Sequence, residues 1–203
     1  MGNIIDTIGN TPLVEITSFH ANPKVKIYAK LEGNNPAGSV KDRPALNMIR
    51  SAIERGEIKK GDKLIEATSG NTGIALAMIA SMYELELELV MPSSSTRERT
   101  LTMEAFGAQV TLLENMEICR DYAEEKAEKD GVFILNQFAN PDNYEAHVKT
   151  TGPEIWRDTQ GKITHFVSAM GTTGTIMGNS IYLKDKNPNI QIVGCQPTEE
   201  SSI

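Results

Sequence analysis

Thiols are scarce in this 203-residue chain, and its two cysteines, Cys119 and Cys195, stand far apart. One lies in a helix-like stretch and the other in a strand-like stretch, and no C-x-x-C pair occurs. That excludes a disulfide framework and makes the reducing cytoplasm the default compartment. The three histidines, His20, His147 and His165, have no metal-ligand spacing, so each reads as a surface or packing residue. No apolar run approaches the length of a membrane span. The opening Met1-Gly2-Asn3-Ile4-Ile5-Asp6 lacks the basic start and apolar core of a signal peptide. Asp6 also stands where N-myristoylation requires Ser or Thr. Excess positive charge is missing too. The net charge is −7 and the pI about 5.1, which does not point to a nucleic-acid partner. Low-complexity segments and short-period repeats are absent. What is present is the balance of a globular protein, with 39% hydrophobic and 23% charged residues and length for one large domain or two small ones.

The hydrophobic pattern alternates between strand and helix. Residues 25–31 read as a strand. Residues 40–55 read as a helix with Leu46, Ile49 and Ile53 on one face and Gly56 as its stop. Strands follow at 63–67, 85–91, 109–113 and 132–135, with helices at 71–82, 96–106 and 116–130 between them. The second half predicts a helix over 148–159 started at Thr151-Gly152-Pro153-Glu154, a strand over 165–169, a helix over 173–183 and a strand over 190–194. Such alternation predicts an α/β fold with a mostly parallel sheet covered by helices on both faces. After residue 194 the chain enters a polar loop and stops at Ile203. A doubly wound fold normally continues into a helix there, so the expectation is a fragment of a longer protein.

Three loops carry candidate chemistry. In Asn34-Asn35-Pro36-Ala37-Gly38-Ser39-Val40-Lys41-Asp42-Arg43 a loop leads into a helix, with Ser39 as expected N-cap and Asp42 in capping-box position. Lys41 then falls in the first turn, where the helix macrodipole disfavours a cation and lowers the amine pKa. A partly neutral amine is a nucleophile able to form a Schiff base, although most lysines are simply solvated. Thr68-Ser69-Gly70-Asn71-Thr72-Gly73 follows a strand and opens a helix. Its free amides and small polar side chains suit a carboxylate or phosphate, more than a plain capped turn requires. Gly171-Thr172-Thr173-Gly174-Thr175 does the same after a later strand and makes a phosphate cradle. It contains neither G-x-G-x-x-G nor a Gly-Lys-Ser/Thr end. Gln137 stands just past another strand, where spacing alone favours a turn residue. A Schiff-base lysine, a carboxylate cradle and a phosphate cradle together fit pyridoxal phosphate with an amino-acid substrate.

These runs, together with Thr7-Ile8-Gly9-Asn10-Thr11-Pro12-Leu13, closely resemble the cysteine synthases, most of all the bacterial B-type O-acetylserine sulfhydrylases. The resemblance spans essentially the whole chain. It implies two three-layer doubly wound domains of the fold-type II pyridoxal-phosphate (tryptophan synthase β-like) kind, the second incomplete here. The smaller domain would be 36–147, and 1–35 plus 148–203 part of the larger, cofactor-binding one. It implies that Lys41 bonds the cofactor aldehyde and later moves the substrate Cα proton. Asn71 would hydrogen-bond the cofactor 3′ oxygen. Thr68, Ser69, Asn71, Thr72 and Gln137 would bind the substrate, and Gly171, Thr172, Thr173, Gly174 and Thr175 the cofactor phosphate. The implied reaction is β-replacement on O-acetylserine by sulfide or thiosulfate in a cytoplasmic homodimer. O-phosphoserine is an alternative donor. Cystathionine β-synthase, a serine/threonine dehydratase and a non-catalytic fragment are the competing readings. The family continues past this chain's end, and its missing part supplies the partner of the pyridine nitrogen. Without that part an apolar sheet face is expected to be exposed.

Overall fold

The computed structural model describes residues 2–18, 22–68 and 70–198. Ser69, His20 and the last residues from Glu199 onward, all named above, lie outside the described residues.

The main sheet has four parallel strands in the order β5-β4-β3-β6: β3 (Lys63–Ala67), β4 (Glu86–Pro92), β5 (Gln109–Leu113) and β6 (Phe133–Ile134). The helices that connect them are α2 (Asn71–Met82), α3 (Arg97–Ala105) and α4 (Met116–Asp130), and α1 (Asp42–Glu54) precedes β3. Side chains alternate across the central strands. Leu64, Leu87, Leu89 and Met91 point into a core shared with α1 and α2, which contribute Met48, Ile49, Leu76 and Ile79. Ile65, Ala67 and Val90 point to the other face, against Cys119 and Ala123 of α4. Both faces are therefore covered, as the near-continuous apolar runs predict. Helix α2 buries residues all round because it lies among the sheet, α1 and α3.

A second, two-stranded parallel sheet pairs β7 (His165–Ala169) with β8 (Gln191–Cys195), linked by α7 (Gly174–Lys186). Its core is Ile155, Leu183 and Ile190, with Trp156, Phe166 and Ile192 packed on it. On the opposite side Val167 and Val193 are 58% and 40% exposed, the apolar sheet face expected above. At the start of the chain β1 (Leu13–Glu15) pairs antiparallel with β2 (Tyr28–Lys30). Among the described residues no helix is long and apolar enough to cross a membrane.

Several boundaries differ from expectation. The strand over 25–31 shortens to β2, and β1 has no counterpart in the predicted elements. The helix predicted to begin at Thr151 begins ten residues earlier. Helix α5 (Pro141–Ala146), a π-helical stretch (His147–Thr151) and α6 (Gly152–Asp158) run on without a break. Asn140 caps α5 by accepting from the Asp142 amide, and Pro141 takes the first-turn position. Thr151 is therefore inside a helical run and caps nothing.

Candidate active site

Lys41 is the cap residue of α1, one position ahead of the first turn where the sequence pattern puts it. The expected capping box does not form. Ser39 Oγ accepts from the Lys41 amide (3.1 Å), and Asp42 turns back to accept from the Ala37 amide (2.6 Å). The Lys41 amine is half-buried, and burial, not the macrodipole expected from the helix start, lowers its pKa. No hydrogen bond or ion pair engages the amine among the described residues. A half-buried amine held beside no carboxylate is suited to meet an electrophile.

Lys41 lies close to His147, which is fully buried. Burial, and then the charges of Arg43 and Lys41, push the His147 pKa down to about 3, so the ring is neutral. Its Nδ1 meets Thr151 Oγ1 at 2.9 Å and its Nε2 meets Thr175 Oγ1 at 3.3 Å. The ring thus ties the π-helical stretch to the 171–175 loop. His147 is a packing histidine, as expected, with both ring nitrogens engaged.

The 171–175 loop has the features of an anion cradle. Helix α7 begins at Gly174, and its cap, Thr173, makes no side-chain capping bond. The caps of α4 and α5, Asn115 and Asn140, do make one. The first amides of α7 are thereby left for another acceptor. Thr173 is held at φ 64°, an uncommon conformation for a β-branched residue and a form of strain that gathers at ligand sites. Gly171 and Thr173 are exposed, Thr172 and Thr175 half-buried and Gly174 buried. These residues fit a phosphate ester.

The second cradle begins at the carboxyl end of β3. Thr68 and Thr72 are buried and Asn71, the first residue of α2, is exposed. A Cβ on Gly73 would come within 2.8 Å of Thr68 Cγ2 and 2.7 Å of Met103 Cε, so only glycine lets the helix start so close to the loop. Thr72 Oγ1 donates to Gln137 Oε1 at 2.8 Å. Spacing alone made Gln137 a turn residue, but the fold buries it against the cradle.

Comparison with known proteins agrees with this geometry. A model of the family described as "Pyridoxal-phosphate dependent enzyme" matches residues 4–203. The chain belongs to this family of pyridoxal-phosphate dependent enzymes. It is 57% identical to "Cysteine synthase B" of Pseudomonas aeruginosa over 203 residues, which covers 98% of this chain and 68% of that protein. It is 55% identical to the "Cysteine synthase B" of Salmonella typhimurium, covering 100% and 68%. The solved cysteine synthase of Entamoeba histolytica superposes with a TM-score of 0.93 at 40% identity, covering 99% of this chain and 62% of that one. The chain therefore spans roughly two thirds of the length of these relatives. The family's pyridoxal phosphate matches the cofactor inferred from the three loops, and the fold is the expected fold-type II α/β architecture.

The motif reading of this family member missed Glu66. It sits in the central strand β3 at 2% exposure. Its carboxylate accepts from the amides of Asn136 (2.9 Å) and Gln137 (3.0 Å) and so fixes the turn that carries Gln137. Burial raises its pKa and those amides offset part of the rise, leaving it at about 7. The available signal was a carboxylate inside the otherwise apolar run Leu64-Ile65-Glu66-Ala67. Glu66→Gln would turn one acceptor into a donor facing an amide N–H. The expected cost is about 2 kcal/mol of stability. A rise of about tenfold in the KM for the amino-acid substrate should accompany it, with kcat nearly unchanged. Denaturant melts and steady-state kinetics check both.

His147 makes the fold acid-sensitive. Its folded pKa of about 3 lies below the ordinary 6.5, so the unfolded chain binds the extra proton first. This contribution is complete above pH 6.5 and is lost as pH falls towards 3. The slope is about 1.4 kcal/mol per pH unit over that window. Glu66, raised to about 7, contributes the opposite slope over this range, so the difference in unfolding free energy between wild type and His147→Asn, measured at pH 7, 6 and 5, is what should fall accordingly.

Proposed function

We propose that this chain carries the active-site core of a B-type cysteine synthase, which converts O-acetyl-L-serine and sulfide into L-cysteine and acetate. The observation that carries the reading is the half-buried amine of Lys41, whose pKa burial lowers and which no hydrogen bond or ion pair engages among the described residues. It lies in a family fold whose cysteine synthase B relatives are 55–57% identical over essentially the whole chain. Pyridoxal phosphate, when bound, supplies the carbonyl that captures an amino group and the electron sink for charge at Cα.

The chain's own residues then divide the work. Lys41 holds the cofactor and, once freed by the substrate amine, takes the Cα proton as general base. Its lowered pKa keeps part of the amine unprotonated for both tasks. Thr68, before α2, and Asn71 and Thr72, at its start, would grip the substrate carboxylate with Gln137, and Ser69 would join them as the family resemblance implies. Asn71 would also hydrogen-bond the cofactor 3′ oxygen. Gly171, Thr172, Thr173, Gly174 and Thr175 hold the phosphate at the start of α7. The acetoxy group leaves as acetate, and sulfide takes its place on Cβ.

The same reading divides the chain into a smaller domain, 36–147, and part of a larger one, 1–35 with 148–203. In support, the cores around β3–β6 and around β7–β8 are separate clusters. A cytoplasmic homodimer completes the proposal, consistent with free thiols at Cys119 and Cys195.

The deciding experiment titrates the purified chain with pyridoxal phosphate and then offers two substrate pairs. A visible absorption band, with cysteine formed from O-acetylserine and sulfide, is expected. Preferential turnover of serine with homocysteine would favour a cystathionine β-synthase instead, and the relatives' names speak against that outcome. Absence of both band and turnover would reduce the chain to a non-catalytic fragment. Thiosulfate and O-phosphoserine in the same assay fix the sulfur and acyl donors.

A further inference from the structure

We infer that Asn143 is a positioning residue that couples the substrate-carboxylate turn to the cofactor-phosphate loop. The inference rests on the site assignment proposed above and adds a residue that no motif contains. Asn143 lies in α5 and is 5% exposed. Its Nδ2 donates to the Gln137 carbonyl at 2.7 Å and to Thr172 Oγ1 at 3.3 Å. A carbonyl can only accept, so the atom facing it is the amide nitrogen and not the oxygen. The two hydrogens of one –NH₂ group thus serve two different loops. Its Oδ1 lies against Gly174, where any Cβ would collide with it. One planar side chain therefore touches Gln137, Thr172 and Gly174.

The direction of these bonds matters. Thr172 Oγ1 accepts from Asn143, which leaves the threonine's own proton to donate into the loop, where a phosphate oxygen would accept it. On the other side, the bond to the Gln137 carbonyl fixes the peptide that follows the two whose N–H groups donate to Glu66. With the side chain accepting from Thr72, Gln137 is then held at three points. Movement of the phosphate loop must shift Asn143, and a shifted Asn143 releases the carboxylate turn. Binding at one cradle consequently favours binding at the other, and the effect is reciprocal.

The test measures dissociation constants rather than turnover. Pyridoxal phosphate and pyridoxal, which lacks the phosphate, are each titrated into wild type and Asn143→Ala while the visible band is followed. The affinity for L-serine is then read from the shift of that band at saturating pyridoxal phosphate. Loss of the two hydrogen bonds should weaken pyridoxal phosphate about tenfold and leave pyridoxal within about twofold. L-Serine should weaken about tenfold as well. Thr172→Val, which cuts only one end of the strut, should also weaken L-serine severalfold, and this variant serves if Asn143→Ala does not fold. An equal loss for pyridoxal and pyridoxal phosphate would make Asn143 a merely structural residue and overturn the inference. So would an unchanged L-serine affinity in the variant tested. A wild type that gives no visible band would instead remove the site assignment itself.

Discussion

Lys41→Ala should abolish the visible band that pyridoxal phosphate gives with the wild type and lower kcat/KM by about 10³-fold or more. Two roles disappear together, the covalent hold on the cofactor and the proton transfer at Cα. General acid–base catalysis by one positioned group is worth roughly 10²–10⁴-fold on its own. Stability should move in the opposite direction. Burial opposes the charged amine, and nothing described compensates it with a carboxylate. The alanine variant should therefore melt no lower than the wild-type apoprotein. That split between lost function and retained stability marks a group held in an unfavourable state for its chemistry. Lys41→Arg sharpens the result. Its guanidinium keeps the positive charge but cannot lose a proton near neutral pH, so it should restore neither the band nor activity. A visible band that persists in Lys41→Ala would move the covalent role to another amine and dismantle the proposed mechanism.

The parts of this molecule that are local in sequence were legible in sequence. Helices α2 and α4 and strands β3, β5 and β7 have the predicted bounds. Each is bracketed by short-range chemistry, such as the Asn115 cap and the left-handed Gly131 at the two ends of α4. Both cradles were visible because glycine and hydroxyl residues cluster directly after apolar strands. Helix α5 was missed although Asn140-Pro141 is a good helix start, because the segment also reads as a turn after β6. The π-helical stretch over His147–Thr151 has no local signature.

The supporting residues were hidden for a different reason. Glu66 acts on amides 70 and 71 residues away, Asn143 on a hydroxyl 29 away and His147 on one 28 away. Such contacts exist only once the fold has brought the segments after β3 and β7, which lie in separate sheets, up to the 136–151 region. Motifs record what must touch a ligand, and they leave out what holds those residues still. The cause of the lowered Lys41 pKa shows the same divide. A macrodipole argument is available from a helix start alone, whereas burial depends on what packs over the residue.

The second large effect is expected at Glu154 and is structural. The Arg43 guanidinium is 1% exposed and forks onto two carboxylates. Its Nη1 and Nη2 donate to Glu154 at 2.7 and 2.8 Å, and its Nε and Nη2 donate to Glu32 at 2.7 and 2.8 Å. Lys30 Nζ reaches Glu154 at 2.7 Å, and the Asn10 amide does so at 2.9 Å. Two cations and two anions balance, and four chain segments meet: the 9–12 turn, the region around β2, α1 and α6. Burial would raise the Glu154 pKa, but the bonds from Arg43, Lys30 and Asn10 outweigh it and hold the group at about 2. Because the folded pKa is depressed, this contribution is present above the ordinary 4.5 and is lost as pH falls through 2. Glu154→Ala leaves a buried guanidinium and a buried ammonium short of a partner. The expected cost is about 3–5 kcal/mol, the range for breaking a buried pair from one side. For a chain of this size that lowers the melting temperature by roughly 10 °C. Replacing Arg43 and Glu154 together by methionine should cost less than the sum of the single replacements, since each single replacement already breaks the bond between these two, although Glu32 and Lys30 then lose a partner each. Arg43 lies two residues beyond Lys41, so loosening the clamp should also shift the start of α1 and weaken cofactor binding. A Glu154→Ala variant that melts within about 1 °C of wild type would mean that water enters to replace the lost carboxylate and that the four segments are held by their apolar contacts instead.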